Sequence, residues 1–182
     1  MLLPRVKGWI LAWRLRLHGH KVGRNLCSKD WNPFTCSLSS RRTITLGDNV
    51  MIGRNMQIWV KRGAELILGD GCVFGGDTYV RASMSIRFGD HSGAAEHSSI
   101  RDSNHGTVLG VDFLAQRSES GPIVIGRDVW IGAGCRILKG ATIPDGCVIS
   151  ANSIVLEKSK LEPNCIYGGS PVRFLKRREA KE

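Results

Sequence analysis

From Ile125 the chain places an apolar residue at every sixth position: Ile125, Ile131, Ile137, Ile143, Ile149 and Val155. Four residues after each of the first five stands a small or β-branched residue, namely Val129, Cys135, Ala141, Cys147 and Ser153. The same beat appears upstream in shorter pieces: Leu46, Ile52, Ile58; Leu68, Phe74, Val80; and Phe88, Ala94, Ile100. Period six fits neither a 3.6-residue helix nor an alternating strand. It predicts a short strand, a corner and another short strand, each sending one aliphatic side chain to a shared axis where it stacks on the coils before it. The small residue two positions before each aliphatic fits the crowded corner. Glycine follows the aliphatic directly at Gly47, Gly53, Gly69, Gly75, Gly89, Gly126 and Gly132, where a turn with positive φ is expected.

The beat stops at Ile100 and resumes at Ile125. Its early part is too polar for a core, so the segment RDSNHGTVLGVDFLAQRSESGPIV reads as an excursion loop over 101–122 that carries His105. Ahead of the repeat, residues 2–17 read as an amphipathic helix, with Leu2, Leu3, Val6, Trp9, Ile10, Trp13 and Leu17 on one face. Arg5, Arg16, Lys7 and Arg14 flank that face. Such a helix suits either an anionic membrane surface or the open end of the repeat, which needs covering. The expected organisation is an N-terminal helix at 1–21, a repeat domain at 22–175 and a basic tail at 176–182.

Composition narrows the chemistry. The 182 residues carry 26 Lys and Arg against 16 Asp and Glu, a formal net charge of +10, which favours an anionic partner. Cys27, Cys36, Cys72, Cys135, Cys147 and Cys165 show no CxxC pair and sit among aliphatic residues, as reduced packing cysteines in the cytoplasm do. Arg5, Lys7, Arg14 and Arg16 break the apolar stretches near the start, so no membrane span is expected. Imidazole titrates in the range a general base needs, which marks His105 as a catalytic candidate. Asp102 could hold the opposite ring nitrogen, as could Asp112 or Glu119.

The repeat in IVIGRDVWIGAGCRILKGATIPDGCVISANSIV (residues 123–155), followed by GGSPVRFLKRR (168–178), resembles the hexapeptide-repeat acyltransferases over roughly residues 22–175. The resemblance implies an all-β, left-handed parallel β-helix with three strands per coil, a homotrimer with active sites between subunits, and acetyl-CoA as acyl donor. Aligned without a gap on the galactoside and maltose O-acetyltransferases, FGDHSGAAEHSSIRDSNHGTV places His105 on their catalytic histidine. Trp130 falls near their cofactor-site tryptophan, and Ala133 and Ala151 fall where backbone lies along pantetheine. Arg173 matches the arginine near the nucleotide, with Lys158 or Lys160 as a second phosphate contact. Asp77 stands where those enzymes have an acceptor-contacting asparagine, so the acceptor departs from theirs. Ala133, Ala151 and Asp77 are equally what a corner of the repeat asks for.

The expected function is O-acetylation of a carbohydrate hydroxyl in surface-polysaccharide or lipopolysaccharide synthesis. The natural acceptor becomes a lipid-linked glycan if the helix meets the inner face of the membrane. No metal and no nucleic acid is expected. The alternatives are a serine-type or other small-molecule acetyltransferase, a non-catalytic β-helix subunit, and a carbonic-anhydrase-like metal enzyme. For that last reading His91 and His97 are six apart, but the paired ligand spacing is lacking.

Overall fold

The computed structural model describes residues 2–35 and 43–179. The six-residue beat is the step from one face of a triangular coil to the next. Ile125 pairs with Ile143, Ile131 with Ile149 and Ile137 with Val155, eighteen residues apart in each case, so three steps return the chain to the same face. The first face stacks strands Lys21–Val22, Thr43–Leu46, Glu65–Leu68, Ser85–Phe88, Ile123–Ile125 and Thr142–Ile143. The second stacks Cys27–Ser28, Met51–Ile52, Val73–Phe74, Gly93–Ala94, Trp130–Ile131, Val148–Ile149, Cys165–Gly168 and Arg173–Arg177. The third stacks Gln57–Val60, Tyr79–Ala82, Ser99–Arg101, Arg136–Ile137 and Ile154–Val155, with Phe34 bridging to Ile58 beneath them. The result is a left-handed parallel solenoid of about six turns. Every pairing on these faces is parallel except the last on the second face.

The repeat residues form three inward columns, one per face. Ile58, Val80, Ile100, Ile137 and Val155 on the third face are all fully buried. The small residues Val129, Cys135, Ala141 and Cys147 are buried beside the columns, where larger side chains would collide across a narrow prism. The extra residues between Ile58 and Leu68, Val80 and Phe88, and Ile100 and Ile125 all fall at the corner from the third face to the first.

The glycines after each aliphatic correct the expectation. None of Gly47, Gly53, Gly69, Gly75, Gly89, Gly126 or Gly132 has positive φ; the left-handed residue comes three positions after the aliphatic, as Asn49, Asn55, Gly71, Asp77, His91, His97, Asp128 and Gly134. Asn, Asp and His tolerate that conformation better than other side chains. The glycines are there because the coils touch: a Cβ on Gly89 would lie 2.7 Å from the carbonyl carbon of Gly126, and one on Gly132 would lie 2.6 Å from the amide of Ala151. Beside them, Asp carboxylates bind the next coil, with Asp48 N–H donating to Asp70 at 2.7 Å and Arg127 N–H to Asp145 at 2.8 Å.

Both ends are closed. The N-terminal helix, α1 (Leu2–Leu17), lies over the first coil, and Gly19 ends it at φ +80 while the His20 amide reaches back to the Leu15 carbonyl at 3.1 Å. Its buried residues are Gly8, Leu11, Ala12 and Leu15, so the cap is built from the side opposite the long apolar stripe. A Cβ on Gly8 would overlap the Leu26 carbonyl oxygen, which shows how closely the helix is seated. At the other end the expected basic tail is partly a strand: Arg173–Arg177 runs antiparallel to Cys165–Gly168. Arg177 pairs with Glu162 at 2.8 Å, and Arg178 with Asp128 at 2.8 Å. An exposed edge strand carrying Arg173, Lys176 and Arg177 deters further strand addition.

Among the described residues no helix is long and apolar enough to cross a membrane. The described cysteines are unpaired, and Cys36 lies outside the described residues. Burial pushes the Cys72 thiol up to about 11 and raises those of Cys135 and Cys147. Half-buried Cys27 is therefore expected to be alkylated in native protein at neutral pH while Cys72 stays unmodified until denaturant is added, as read by peptide mass mapping. Equal native labelling of the two would mean the solenoid opens at Cys72.

Candidate functional site

Strand residues one position before each inward aliphatic on the second face point outward. They stack in register as Cys27, Met51, Val73, Gly93, Trp130, Val148 and Ile166, an apolar column from one end of the solenoid to the other. Met51, Val73 and Trp130 keep 45%, 42% and 51% of their surface exposed, so this column is an open wall and not core. A groove of about 540 Å³ follows it and turns onto the corner toward the third face, where Gly132, Ala133, Ser150 and Ala151 line it. Trp130, Ala133 and Ala151 thus share one groove. Ala133 is half-buried and Ala151 exposed, with the Asn152 amide donating to the Ala133 carbonyl at 2.8 Å. Small side chains there leave the backbone approachable.

A second hollow of about 450 Å³ lies at the C-terminal end, lined by Lys160, Tyr167, Arg173, Phe174 and Arg177 among others. Glu162 also lines it and pairs with Arg177 at 2.8 Å, which leaves Lys160 and Arg173, among the described residues, as the cations without a carboxylate partner there, donors of the kind a phosphate group wants. Of the two lysines named as alternatives, Lys160 lines this hollow with Arg173, while Lys158 is exposed and is not part of its wall.

The excursion loop leaves at the corner from the third face to the first. Ser103–Asn104 and Glu119–Ser120 pair antiparallel as its stem. Gln116 organises the tip, its side chain bonding the Val108 amide at 2.7 Å and the Val111 carbonyl at 2.8 Å. His105 is exposed just beyond the stem, its ring edge-to-face with Phe113 at 5.7 Å. Val108, Leu109, Phe113 and Leu114 are exposed around it, Leu109 at 98%.

Asp102 does not serve the histidine as expected. It is fully buried, and its two oxygens accept the amides of Ser83 at 2.7 Å, Met84 at 2.7 Å and Ser85 at 2.9 Å. The carboxylate clamps the equivalent corner of the preceding coil and fixes where the loop departs. Asp112 is likewise engaged with the Leu114 amide at 2.9 Å, and Glu119 faces Lys139 at 3.6 Å. The three carboxylates near His105 are thus occupied elsewhere within the described chain.

Asp77 is exposed, with φ 55, at the corner from the second face to the third. It lies in the stack of left-handed residues Asn55, Asp77, His97, Gly134 and Asn152, so its place in the turn accounts for its residue type. His105 and the Trp130 groove stand off different corners of the prism, and His105 is not part of the groove's lining.

Residues 122–157 match the family described as "Bacterial transferase hexapeptide (six repeats)". The chain is 24% identical over 152 residues to the Escherichia coli K12 protein named "Putative lipopolysaccharide biosynthesis O-acetyl transferase WbbJ", covering 79% of this chain and 76% of that one. It is 47% identical over 69 residues to a "Probable macrolide acetyltransferase" of Lysinibacillus sphaericus, covering 38% of this chain and 37% of that one. Its fold matches AntD, an N-acyltransferase from Bacillus cereus crystallised as a D94A mutant with dTDP and coenzyme A. That match has a TM-score of 0.69 at 20% identity and covers 92% of this chain and 89% of that one. Residues 122–157 thus carry the hexapeptide repeat of bacterial transferases, on the left-handed β-helix fold that the chain shares with AntD.

The outward wall of Cys27, Lys29, Met51 and Val73 extends the groove beyond Trp130, Ala133 and Ala151. The signal was present at Met51 and Val73, which immediately precede Ile52 and Phe74 of the six-residue beat. Among the described residues no group of three or more His, Cys, Asp or Glu could hold a metal ion; His91 and His97 lie at two different corners. Replacing Asp102 by Ala would orphan three amides. It is expected to destabilise the protein by on the order of 3 kcal/mol, seen as a lowered thermal midpoint. An unchanged midpoint with lost turnover would return Asp102 to a catalytic role.

Proposed function

We propose that the enzyme transfers an acetyl group from acetyl-CoA to a carbohydrate hydroxyl, in cytoplasmic synthesis of a surface polysaccharide or lipopolysaccharide. The observation that carries this reading is the groove that unites Trp130, Ala133 and Ala151 along a stretch of small corner residues, with the cationic hollow at the same end of the solenoid. An extended pantetheine arm suits the first and a phosphorylated nucleotide the second. The AntD crystals with coenzyme A and the lipopolysaccharide role in the name of the Escherichia coli relative support the donor and the acceptor class.

His105 is the proposed general base. It removes the hydroxyl proton as the oxygen bonds to the thioester carbonyl carbon; when the tetrahedral intermediate collapses the C–S bond breaks, and the imidazolium returns its proton to the departing thiolate. Because His105 and the groove stand off different corners of one chain, a complete site needs a second copy. A homotrimer supplies this when the loop of one subunit crosses to the groove of the next. The apolar loop tip and the apolar wall of the second face are surfaces suited to that contact. Asp77, at the corner of the second and third faces, is the acceptor-contact candidate.

A second reading has its own observation. The short but higher identity is to a protein named as a probable macrolide acetyltransferase, so a small-molecule acceptor belongs in the same test. That test is acetyl-CoA-dependent CoA release over a panel of sugars, nucleotide sugars, lipid-linked glycans and macrolides. Release only with macrolides would replace the carbohydrate reading.

His105→Ala is expected to lower turnover by about 100- to 10,000-fold with the fold intact by circular dichroism. Activity within about threefold of wild type would remove His105 from the mechanism. Arg173→Ala is expected to weaken acetyl-CoA binding by about 1.5–3 kcal/mol in calorimetry, and less for dephospho-CoA. Equal affinity of mutant and wild type would show that Arg173 makes no phosphate contact.

A further inference from the structure

The N-terminal helix has two apolar sides, and the cap uses only one of them. With Gly8, Leu11, Ala12 and Leu15 buried against the first coil, the opposite side leaves Leu2 79%, Leu3 59%, Trp9 68%, Trp13 55% and Leu17 64% exposed. Trp31, 53% exposed beneath the Lys7 ammonium at 5.2 Å, adds a third tryptophan at this end of the molecule.

The charge is gathered at the same end. Arg5, Lys7, Arg14, Arg16, Lys21, Arg24 and Lys29 fall within the first 29 residues, where there is no Asp or Glu, leaving 19 basic against 16 acidic residues in the rest of the chain. With Asp30 counted, residues 1–35 hold seven basic residues and one acidic, so six of the net ten positive charges sit on the helix and the first coil. Of these, Arg24 is balanced by Asp48 of the next coil at 2.7 Å. Lys7 and Arg16 also pin the helix in place, donating to the Lys29 carbonyl at 3.0 Å and to the Val22 and Gly23 carbonyls at 2.9 and 2.8 Å. Held this way, α1 presents its free side as a fixed surface at the end of the solenoid.

We propose that this outward side of α1 docks the enzyme on an anionic lipid bilayer, with the helix lying in the plane of the interface. A convex apolar ridge with tryptophans and a basic border is the chemistry of an interfacial helix, hydrophobic insertion and headgroup attraction acting together. A second copy of this chain is a poor occupant, because two such ends brought face to face would set one concentration of positive charge against another. The inference is independent of the acetyl-transfer reading and adds to it: a docked enzyme meets a lipid-linked acceptor at the surface where that acceptor resides.

The test compares co-sedimentation of the full chain with phosphatidylglycerol-containing vesicles and with pure phosphatidylcholine vesicles, beside the double variant Trp9→Ser, Trp13→Ser. Both tryptophans are more than half exposed, so the variant is expected to keep its thermal midpoint and oligomeric state. Binding to the anionic vesicles is expected, reduced by raised salt, with the variant weaker by about tenfold or more. Indifference of the full chain to anionic vesicles, or binding that the variant retains, overturns the proposal. A changed oligomeric state in the variant also overturns it and makes the ridge a contact between copies. Acetyl transfer to a soluble acceptor is measured in parallel; its failure alone would count against the proposed activity and leave the docking result standing.

Discussion

Everything in this molecule depends on side chains stacking on their own equivalents one coil away. Strands in a parallel sheet are spaced by about 4.8 Å, so each coil must repeat the geometry of the last or the columns of aliphatics lose contact. Three requirements follow. An aliphatic must recur at every sixth position to keep three columns filled, and a residue that accepts positive φ must follow three later to turn the corner. Between them a residue with no Cβ is needed where adjacent backbones touch. The sequence meets all three with Ile131, Gly132 and Gly134, and again with Phe74, Gly75 and Asp77. Any insertion has to leave at a corner, and those between Ile58 and Leu68, Val80 and Phe88, and Ile100 and Ile125 share the corner between the third and first faces.

That strictness is why the architecture could be read from residue spacing, and also why some details could not. The beat identifies inward positions by phase alone, so Ile137 and Val155 were recognisable as core from their spacing. Phase also carries the outward wall, since Met51, Val73 and Trp130 each stand one place ahead of a beat residue. Handedness and the number of strands per coil do not reside in the spacing and came from family resemblance. The glycine assignment failed for a specific reason: a glycine required by positive φ and one required by a close backbone leave the same mark in a sequence. Only the coil-to-coil distances at Gly89 and Gly132 separate the two causes.

The site shows a different limit. Asp102 stands three residues from His105, and proximity in sequence suggested a partnership. In the fold the carboxylate turns back to the preceding coil and binds three amides, a role set by stacking between residues almost twenty positions apart. Conversely Trp130, Ala133 and Ala151, scattered over some twenty residues, converge because a solenoid brings every eighteenth residue into register. Local separation is thus a poor guide to contact in a β-helix, and phase within the coil is a good one. His105 lies outside the phase altogether, on the loop that leaves between the third and first faces, and is not part of the groove's lining.

The N-terminal helix obeys another rule, because it lies outside the repeat. A solenoid core is open at its first coil, and Leu11 and Leu15 close it with side chains as thoroughly buried as the columns themselves. Sealing needs only a narrow strip, since the triangular end of the prism is small and a glycine at position 8 lets the helix settle onto Leu26. A helix made only to seal would carry polar residues on its far side. This one carries leucines and tryptophans there, and its basic residues fall into two groups. Lys7 and Arg16 bond carbonyls of the first coil, while Arg5 and Arg14 border the ridge. Because the two apolar strips oppose each other, the pattern of the isolated helix shows the broader strip and hides the narrower. Capping and the proposed membrane docking, which looked like rivals in the sequence, therefore fall to opposite sides of the same sixteen residues.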